Sequence, residues 1–174
     1  MAISNTIGKL AGVALTAALF VGCAQTPDAP EVDETQANQE QVVQKTPEQI
    51  AAEERQARVD SAKAEVANMG DTVFFDFDDS TIKSESVTTL NAWANYLKVS
   101  GDNAVIQGHT DERGSREYNI SLGERRANAV IGYLTSQGVE ASQLEAVSYG
   151  EESPAVDGSN EYAWSRNRRA VLEL

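Results

Sequence analysis

The sequence contains few of the residues on which small disulfide-bonded or metal-dependent proteins rely. Only one cysteine and one histidine occur among its 174 residues, so no disulfide can form within the chain and a folded domain must depend on its hydrophobic core. The cysteine-pair spacings of zinc sites are absent, as are the G-x-S-x-G, H-E-x-x-H and P-loop motifs. The chain therefore lacks the common signatures of serine hydrolases, zinc proteases and nucleotide-dependent enzymes. We expect no metal and no cofactor.

Basic residues are also scarce. Lys and Arg number 14 against 27 Asp and Glu, which gives a net charge of -13 at pH 7. Because such a charge repels polyanions before short-range contacts form, we do not expect nucleic acid as a partner. One basic cluster contains Arg166 and Arg168, which we expect to share a strand face, and Arg169, which we expect to point the opposite way. We interpret this cluster as a solvated strand edge or as support for a nearby site.

Apolar runs long enough to cross a bilayer are missing as well. The run that follows Lys9 extends only from Leu10 to Gly22, whereas a membrane-spanning helix needs about 20 apolar residues. A short apolar run after a basic residue is typical of a secretory signal. It leads into Cys23, with Phe20 where a bacterial lipobox usually has Leu, and this ending resembles a lipobox. We predict that residues 1–22 are a signal peptide and that Cys23 is lipidated; a free thiol after ordinary cleavage and an N-terminal membrane anchor are the alternatives.

Residues 23–70 are predicted to form a flexible acidic tether followed by a spacer helix. The stretch 24–45 is rich in Gln, Glu and Asp and poor in large apolar residues, so it cannot bury enough surface to offset its chain entropy. Thr46 and Gln49 then have the spacing of a helix capping box, and Gly70 is suited to end the helix. The apolar residues of this helix are small, which favours an exposed spacer; a weak partner-binding helix is the alternative.

Residues 71–174 have the hydrophobic patterning of one folded domain. Alternating apolar residues predict strands, and apolar residues at helical spacing predict helices. The predicted elements are a strand at 72–77, a helix at 84–99, a strand at 104–109, a helix at 121–137 that begins with a Ser121–Glu124 capping box, and strands at 144–149 and 169–174. The order β-α-β-α-β-β predicts an α/β two-layer sandwich, with the helices packed on one face of a small mixed sheet.

The loop after the second predicted strand carries the strongest candidate chemistry. Asp111 follows the carboxyl end of that strand, where ligands often bind in α/β folds, and Arg126 lies within the first two turns of the next predicted helix. A carboxylate can bind an ammonium group, and a guanidinium can hold a carboxylate in bidentate fashion. Together they would suit an amino-acid head group, with loop amides and the helix N-terminus as further donors. An internal salt bridge between Asp111 and Arg126 accounts for these two residues equally well.

Two other features could in principle support catalysis. His109 and Asp111 would share a strand face, but neither a nucleophile motif nor further metal ligands accompany them. We therefore expect His109 to be a hydrogen-bonded residue at a strand end. Asp76 and Asp78 could act as a paired-carboxylate glycosidase site, yet such pairs arise easily by chance in a chain with 27 acidic residues. Catalysis is consequently the weaker interpretation of these residues.

Three segments of the domain resemble the OmpA-like domain family, specifically its peptidoglycan-associated lipoproteins. They are Gly108–Gly114, the segment 167–170, and a helix pattern that consists of Asn119, Leu122, Arg126, Ala127 and Val130. Gly123 stands where the family usually has Ser. The resemblance covers residues 72–174, and the lipobox and the tether agree with it.

The resemblance implies a protein that binds peptidoglycan without cleaving it. In the family, the domain binds the meso-diaminopimelate of the stem peptides. The aligned ligand-binding residues are Asp111 and Arg126, and Phe77 and Asp78 lie at the ligand largely through backbone groups. It also implies an outer-membrane protein anchored by lipid at Cys23, with its domain in the periplasm. The implied partner is the β-propeller protein TolB, in the Tol-Pal system of envelope integrity and cell division. A wall-active amidase or glycan hydrolase, and the same fold without binding, are the alternatives.

Overall fold

Four strands form one mixed sheet in the computed structural model, which describes residues 45–174. The strands are β1 (Thr72–Phe74), β2 (Ala104–His109), β3 (Leu144–Gly150) and β4 (Arg169–Glu173), in the spatial order β1-β4-β2-β3. Strand β4 is antiparallel to both of its neighbours, while β2 and β3 are parallel. The predicted signal peptide, Cys23 and nearly all of the predicted tether lie outside the described residues.

Four helices accompany the sheet in this part of the chain. They are α1 (Pro47–Met69), α2 (Val87–Ser100), α3 (Arg116–Ser136) and α4 (Glu161–Asn167), with short 3-10 turns at Ser84–Ser86 and Ala141–Gln143. The predicted fold class, an α/β two-layer sandwich on a mixed sheet, is confirmed. The predicted element order lacked only α4, which spans seven residues and is too short to give a helical period. Asn160 begins it by accepting a hydrogen bond from the Ala163 N–H.

The core lies between one face of the sheet and the helices. Alternate strand residues point to this face because side chains along a strand alternate between its two sides. Val73, Ile106 and Leu172 are at most 2% exposed and pack into one cluster with Leu90 of α2 and Val130 of α3. Complete burial of one such side chain contributes about 1.5–3 kcal/mol to folding. The core alone therefore supplies the stability that a disulfide would otherwise provide.

Helix α1 begins as predicted, and one face of its C-terminal half packs into the core. The Thr46 side chain accepts from the Gln49 N–H at 3.2 Å and the Gln49 side chain accepts from the Thr46 N–H at 2.8 Å, which confirms the capping box. The N-terminal half is exposed, as expected of a spacer. Ala62 and Val66, however, are buried against α2, because a spacing of four places them on one helix face. One face of the C-terminal half of α1 therefore belongs to the core, while the rest of this half stays exposed.

Helix α3 starts earlier than the sequence predicted. Ser115 is the capping residue, and its hydroxyl accepts from the Tyr118 N–H at 3.2 Å. The predicted Ser121–Glu124 box is wrong, because Ser121 lies inside the helix and donates to the Glu117 carbonyl at 3.1 Å. Arg126 is consequently in the third turn, roughly 15 Å along the axis from the helix start. Arg126 therefore lies later in the helix than the sequence predicted, which placed it within the first two turns.

Two glycines let α3 rest directly on β2. A Cβ atom on Gly108 would overlap the Gly123 carbonyl oxygen, and a Cβ atom on Gly123 would lie 2.8 Å from the Gly108 carbonyl oxygen. The Ser148 hydroxyl also occupies the space beside Gly123, where it donates to the Ile120 carbonyl at 2.6 Å. This backbone contact leaves no room for a side chain at position 123. It also brings Arg126, about one helical turn later, over the end of β2.

Candidate functional site

Arg126 is completely buried and is held by three backbone carbonyls. Its guanidinium donates to the carbonyl oxygens of His109 at 2.8 Å, Asp79 at 2.8 Å and Asp76 at 3.0 Å. These acceptors come from the end of β2 and from the loop after β1, so Arg126 joins two separate parts of the chain. Among residues 45–174, three of its five N–H groups are used in this way. The remaining two can serve another acceptor.

Arg126 remains charged at neutral pH despite its burial. Burial lowers the pKa of Arg126 to about 10, and the negative charge of Asp111 partly opposes that effect. The guanidinium carbon also lies 5.2 Å from the centre of the Phe75 ring, a favourable position for a cation over an aromatic face. Arg126 is therefore a fixed cation at neutral pH, with its orientation set by the backbone.

Asp111 is buried and is fully supplied with donors. Its Oδ1 accepts from the Arg113 backbone N–H at 3.1 Å and from Arg113 Nε at 3.0 Å, while its Oδ2 accepts from Arg113 Nη2 at 2.6 Å and Arg168 Nη1 at 3.4 Å. Burial by itself would raise the pKa of Asp111, but the hydrogen bonds from Arg113 outweigh it and hold that pKa below its ordinary value. Among residues 45–174, the ion pairs of Asp111 are with Arg113 and Arg168. The alternative of an internal Asp111–Arg126 salt bridge is therefore wrong.

One cavity brings the predicted site residues together. It has a volume of about 170 Å³ and opens beside the end of β2 and the N-terminal turns of α3. All four of the predicted ligand-binding residues line it. The complete lining is Phe77, Asp78, Thr110, Asp111, Arg113, Gly114, Tyr118, Asn119, Leu122 and Arg126.

The rim of the cavity is built from the loop after β1. Strand β1 ends at Phe74 rather than at the predicted residue 77, so Phe77 and Asp78 belong to this loop. Phe77 is 59% exposed, and Asp78 has a φ of 53° in the left-handed region, which is uncommon for a residue other than glycine. The Tyr118 hydroxyl donates to the Asp78 carboxylate and connects this loop to α3.

Sequence reasoning missed Arg113, which lies between two aromatic rings. Its guanidinium carbon is 4.1 Å from the centre of the Phe77 ring and 4.1 Å from that of Trp164. Arg113 thus stacks on both rings while it binds Asp111. Its position two residues after Asp111 gave no signal, because its stacking depends on Phe77 and Trp164, which are distant in the sequence.

The basic cluster does not form the predicted strand face. Arg166 lies in α4, and Arg168 follows that helix before β4 begins, so the two do not share a strand face. Arg168 is 6% exposed and donates to the Phe75 carbonyl at 3.2 Å, to Glu161 at 2.7 Å and to Asp111. Arg168 therefore supports the site, which was the second of the two interpretations of this cluster.

His109 lies at the end of strand β2, as expected, and its side chain is buried. It is 3% exposed and stacks on Tyr149 with ring centres 5.3 Å apart. Neither ring nitrogen has a hydrogen-bond partner of ordinary geometry among residues 45–174. Burial, reinforced by the charge of Arg169, lowers the pKa of His109 to about 4. The contribution of His109 to the site is its backbone carbonyl, which accepts from Arg126.

Within residues 45–174, no group of three or more His, Cys, Asp or Glu side chains is placed to hold a metal ion. No helix in that range combines the length and apolar character that crossing a membrane requires.

Comparison with known proteins decides the family. Residues 74–168 match the model of the OmpA family. The chain belongs to the OmpA family. The "Peptidoglycan-associated lipoprotein" of Pseudomonas aeruginosa is 52% identical over 102 residues, which is 59% of this chain and 61% of that protein. The protein of the same name from Haemophilus influenzae is 52% identical over 110 residues, which is 63% of this chain and 72% of that protein.

A solved structure agrees with this assignment. The crystal structure of the peptidoglycan-associated lipoprotein from Burkholderia pseudomallei matches with a TM-score of 0.58 and 44% identity, over 59% of this chain and 88% of that one. The predicted resemblance is thereby confirmed for the OmpA domain. Two of the curated relatives are matched over 61% of their length. The names of these relatives describe an association with peptidoglycan.

Proposed function

We propose that this OmpA-family chain binds peptidoglycan non-covalently, by holding the amino-acid head group of meso-diaminopimelate between Asp111 and Arg126. The observation that carries the proposal is the arrangement of two buried, opposite charges along one small cavity without a direct bond between them. A pair of this kind is suited to a ligand that supplies the complementary pair of charges. The names of the peptidoglycan-associated relatives support the same ligand class.

Each charge has its own task in this proposal. The carboxylate of Asp111 accepts hydrogen bonds from the ligand ammonium, and the two free N–H groups of Arg126 donate to the ligand carboxylate. Phe77 and Asp78 form the wall opposite α3 and contact the ligand largely through backbone groups. A stem peptide with lysine in place of diaminopimelate has the ammonium but not the carboxylate, so it would leave Arg126 without its ligand partner.

The expected strength of this discrimination follows from burial. Leaving one partner of a buried, hydrogen-bonded charge pair unsatisfied costs about 2–5 kcal/mol. At about 1.4 kcal/mol per factor of ten, the lower figure already corresponds to about a 30-fold change in Kd. A single site of modest affinity suffices, because many copies anchored in one membrane engage one wall with high avidity.

We further propose that the chain is an outer-membrane lipoprotein with its domain in the periplasm. Residues 1–22 act as the signal peptide, Cys23 is the lipidated N-terminus, 23–70 form the tether and spacer helix, and 71–174 form the binding domain. Helix α1 has 23 residues, and its exposed N-terminal half adds roughly 17 Å at 1.5 Å per residue, which helps the domain to reach a wall separated from the membrane. Mass spectrometry of the mature N-terminal peptide would detect acyl chains on Cys23, and an unmodified cysteine would contradict this assignment.

The family resemblance also suggests the protein partner. We propose that TolB binds this domain, within the Tol-Pal system that maintains the envelope and assists cell division. A pull-down with purified TolB tests the proposal. Absence of a complex at micromolar concentrations of both folded proteins would contradict it.

The peptidoglycan proposal is tested by incubating the purified domain with isolated sacculi and measuring both bound protein and released fragments. Asp111→Asn keeps the shape of the side chain and removes its charge, so we expect sacculus binding to fall at least about 30-fold. Asp60→Asn is the matched control, since Asp60 is exposed on α1 and should leave binding unchanged. Equal binding by Asp111→Asn and wild type would contradict the site, and release of soluble fragments would indicate a wall hydrolase instead.

A further inference from the structure

The donors around Asp111 leave no position on its carboxylate for an additional cation. A carboxylate offers about four acceptor positions, and Arg113 takes three of them while Arg168 takes the fourth. A ligand ammonium can reach Asp111 only if one of these donors moves away. The identity of the donor that moves determines which ligands the site accepts.

We propose that the Arg113 guanidinium is a displaceable counter-ion, which the ligand ammonium replaces at Asp111 when the ligand binds. This inference rests on the proposed function and adds to it a residue that sets the affinity and the selectivity of the site. Arg113 lines the same cavity as Asp111 and Arg126, so the exchange takes place where the ligand enters.

Burial distinguishes Arg113 from Arg168 as the donor that leaves. The Arg113 side chain is 31% exposed, whereas that of Arg168 is 8% exposed. Arg168 is also tied to the Phe75 carbonyl and to Glu161, so its movement would break two further hydrogen bonds. Arg113 has its other contacts with two aromatic faces, which tolerate sliding and tilting of the guanidinium far better than directed hydrogen bonds do. Arg113 can therefore leave Asp111 and remain stacked.

The exchange preserves the charge balance of the site. When an ammonium takes the place of a guanidinium, the buried Asp111 carboxylate keeps a cationic partner throughout. A neutral ligand that pushed Arg113 aside would leave Asp111 short of donors, which is costly for a buried carboxylate. Competition with Arg113 thus rejects neutral ligands and favours a head group that carries an ammonium.

The test compares binding of one probe, the tripeptide L-Ala-γ-D-Glu-meso-diaminopimelate, to the wild type and to Arg113→Met by isothermal titration calorimetry. Methionine keeps a flexible side chain between the two rings but cannot occupy Asp111. We expect Arg113→Met to bind the tripeptide at least threefold more tightly than the wild type, because no internal cation must be displaced. Arg113→Lys restores a competing cation and should return the affinity toward that of the wild type. Arg116→Met is the control, since Arg116 pairs with Glu152 and does not line the cavity.

A second readout follows Arg113 itself. In the wild type without added tripeptide, the Nε–H of Arg113 should give an NMR signal protected from solvent exchange, and saturation with tripeptide should abolish that protection. Unchanged or weaker binding by Arg113→Met, or a protected Nε–H in the saturated complex, would overturn the exchange while leaving the proposed ligand in place. If neither the wild type nor Arg113→Met bound the tripeptide, the proposed ligand would be wrong and the exchange would fall with it.

Discussion

The Arg126→Lys substitution tests the structural role of this residue. Arg126 donates to three carbonyl oxygens that belong to His109, Asp79 and Asp76, and its side chain is 0% exposed. A lysine ammonium is a point charge and cannot reproduce the planar fork that reaches all three acceptors. We expect it to satisfy one of them and to leave two buried carbonyls without their donor.

The magnitude follows from those two hydrogen bonds. A hydrogen bond to a charged group contributes about 1.5–3 kcal/mol, so the loss of two predicts destabilisation of about 3–6 kcal/mol. Urea denaturation of the domain, followed by the fluorescence of its tryptophans, measures this change. The matched control is Arg125→Lys, at the exposed neighbouring position on α3, for which we expect less than about 0.5 kcal/mol. A loss below about 1 kcal/mol for Arg126→Lys would refute the view that Arg126 fastens the loop after β1 to the end of β2.

Two further predictions concern stability. The folded-state pKa of His109, about 4, lies below its ordinary value of 6.5. Protonation therefore favours the unfolded chain, and stability should fall by about 3 kcal/mol as the pH drops from 6.5 to 4. Denaturation across this range should show the fall for the wild type and a flatter curve for His109→Phe, and parallel curves would contradict the assignment. Gly123→Ser should destabilise by about 1–3 kcal/mol through overpacking against the Gly108 carbonyl and Ser148. Gly132→Ala has open space around it in the same helix and should stabilise by up to about 1 kcal/mol; equal Tm shifts for both variants would contradict the contact.

The parts of the fold that local sequence determines were predicted well. Strand β2 has the predicted bounds, Ala104–His109, because its alternation of buried and half-buried residues is a local pattern. The capping box at Thr46 was also predictable, since both of its hydrogen bonds form within four residues. The Ser121–Glu124 box failed because the same short pattern occurs inside helices, and the real cap at Ser115 has Tyr118 where a box would need Glu or Gln.

The charged residues of the site could be predicted from the sequence, but the contacts that hold them could not. The resemblance and the strand-end position were sufficient to select Asp111 and Arg126, and both line the cavity. The three carbonyls that hold Arg126 come from residues 17 to 50 positions away in the chain, and such distant contacts leave no local pattern. Arg113 was missed for the same reason, because it stacks on Phe77 from the loop after β1 and on Trp164 from α4.

The central claim is that the cavity recognises an ammonium and a carboxylate at the same time. Isothermal titration calorimetry of the wild-type domain with two stem tripeptides, one ending in meso-diaminopimelate and one ending in L-lysine, tests it directly. The account predicts measurable binding of the diaminopimelate tripeptide and at least about 30-fold weaker binding of the lysine tripeptide. Equal affinity for the two peptides would contradict it, because the carboxylate partner of Arg126 would then contribute nothing.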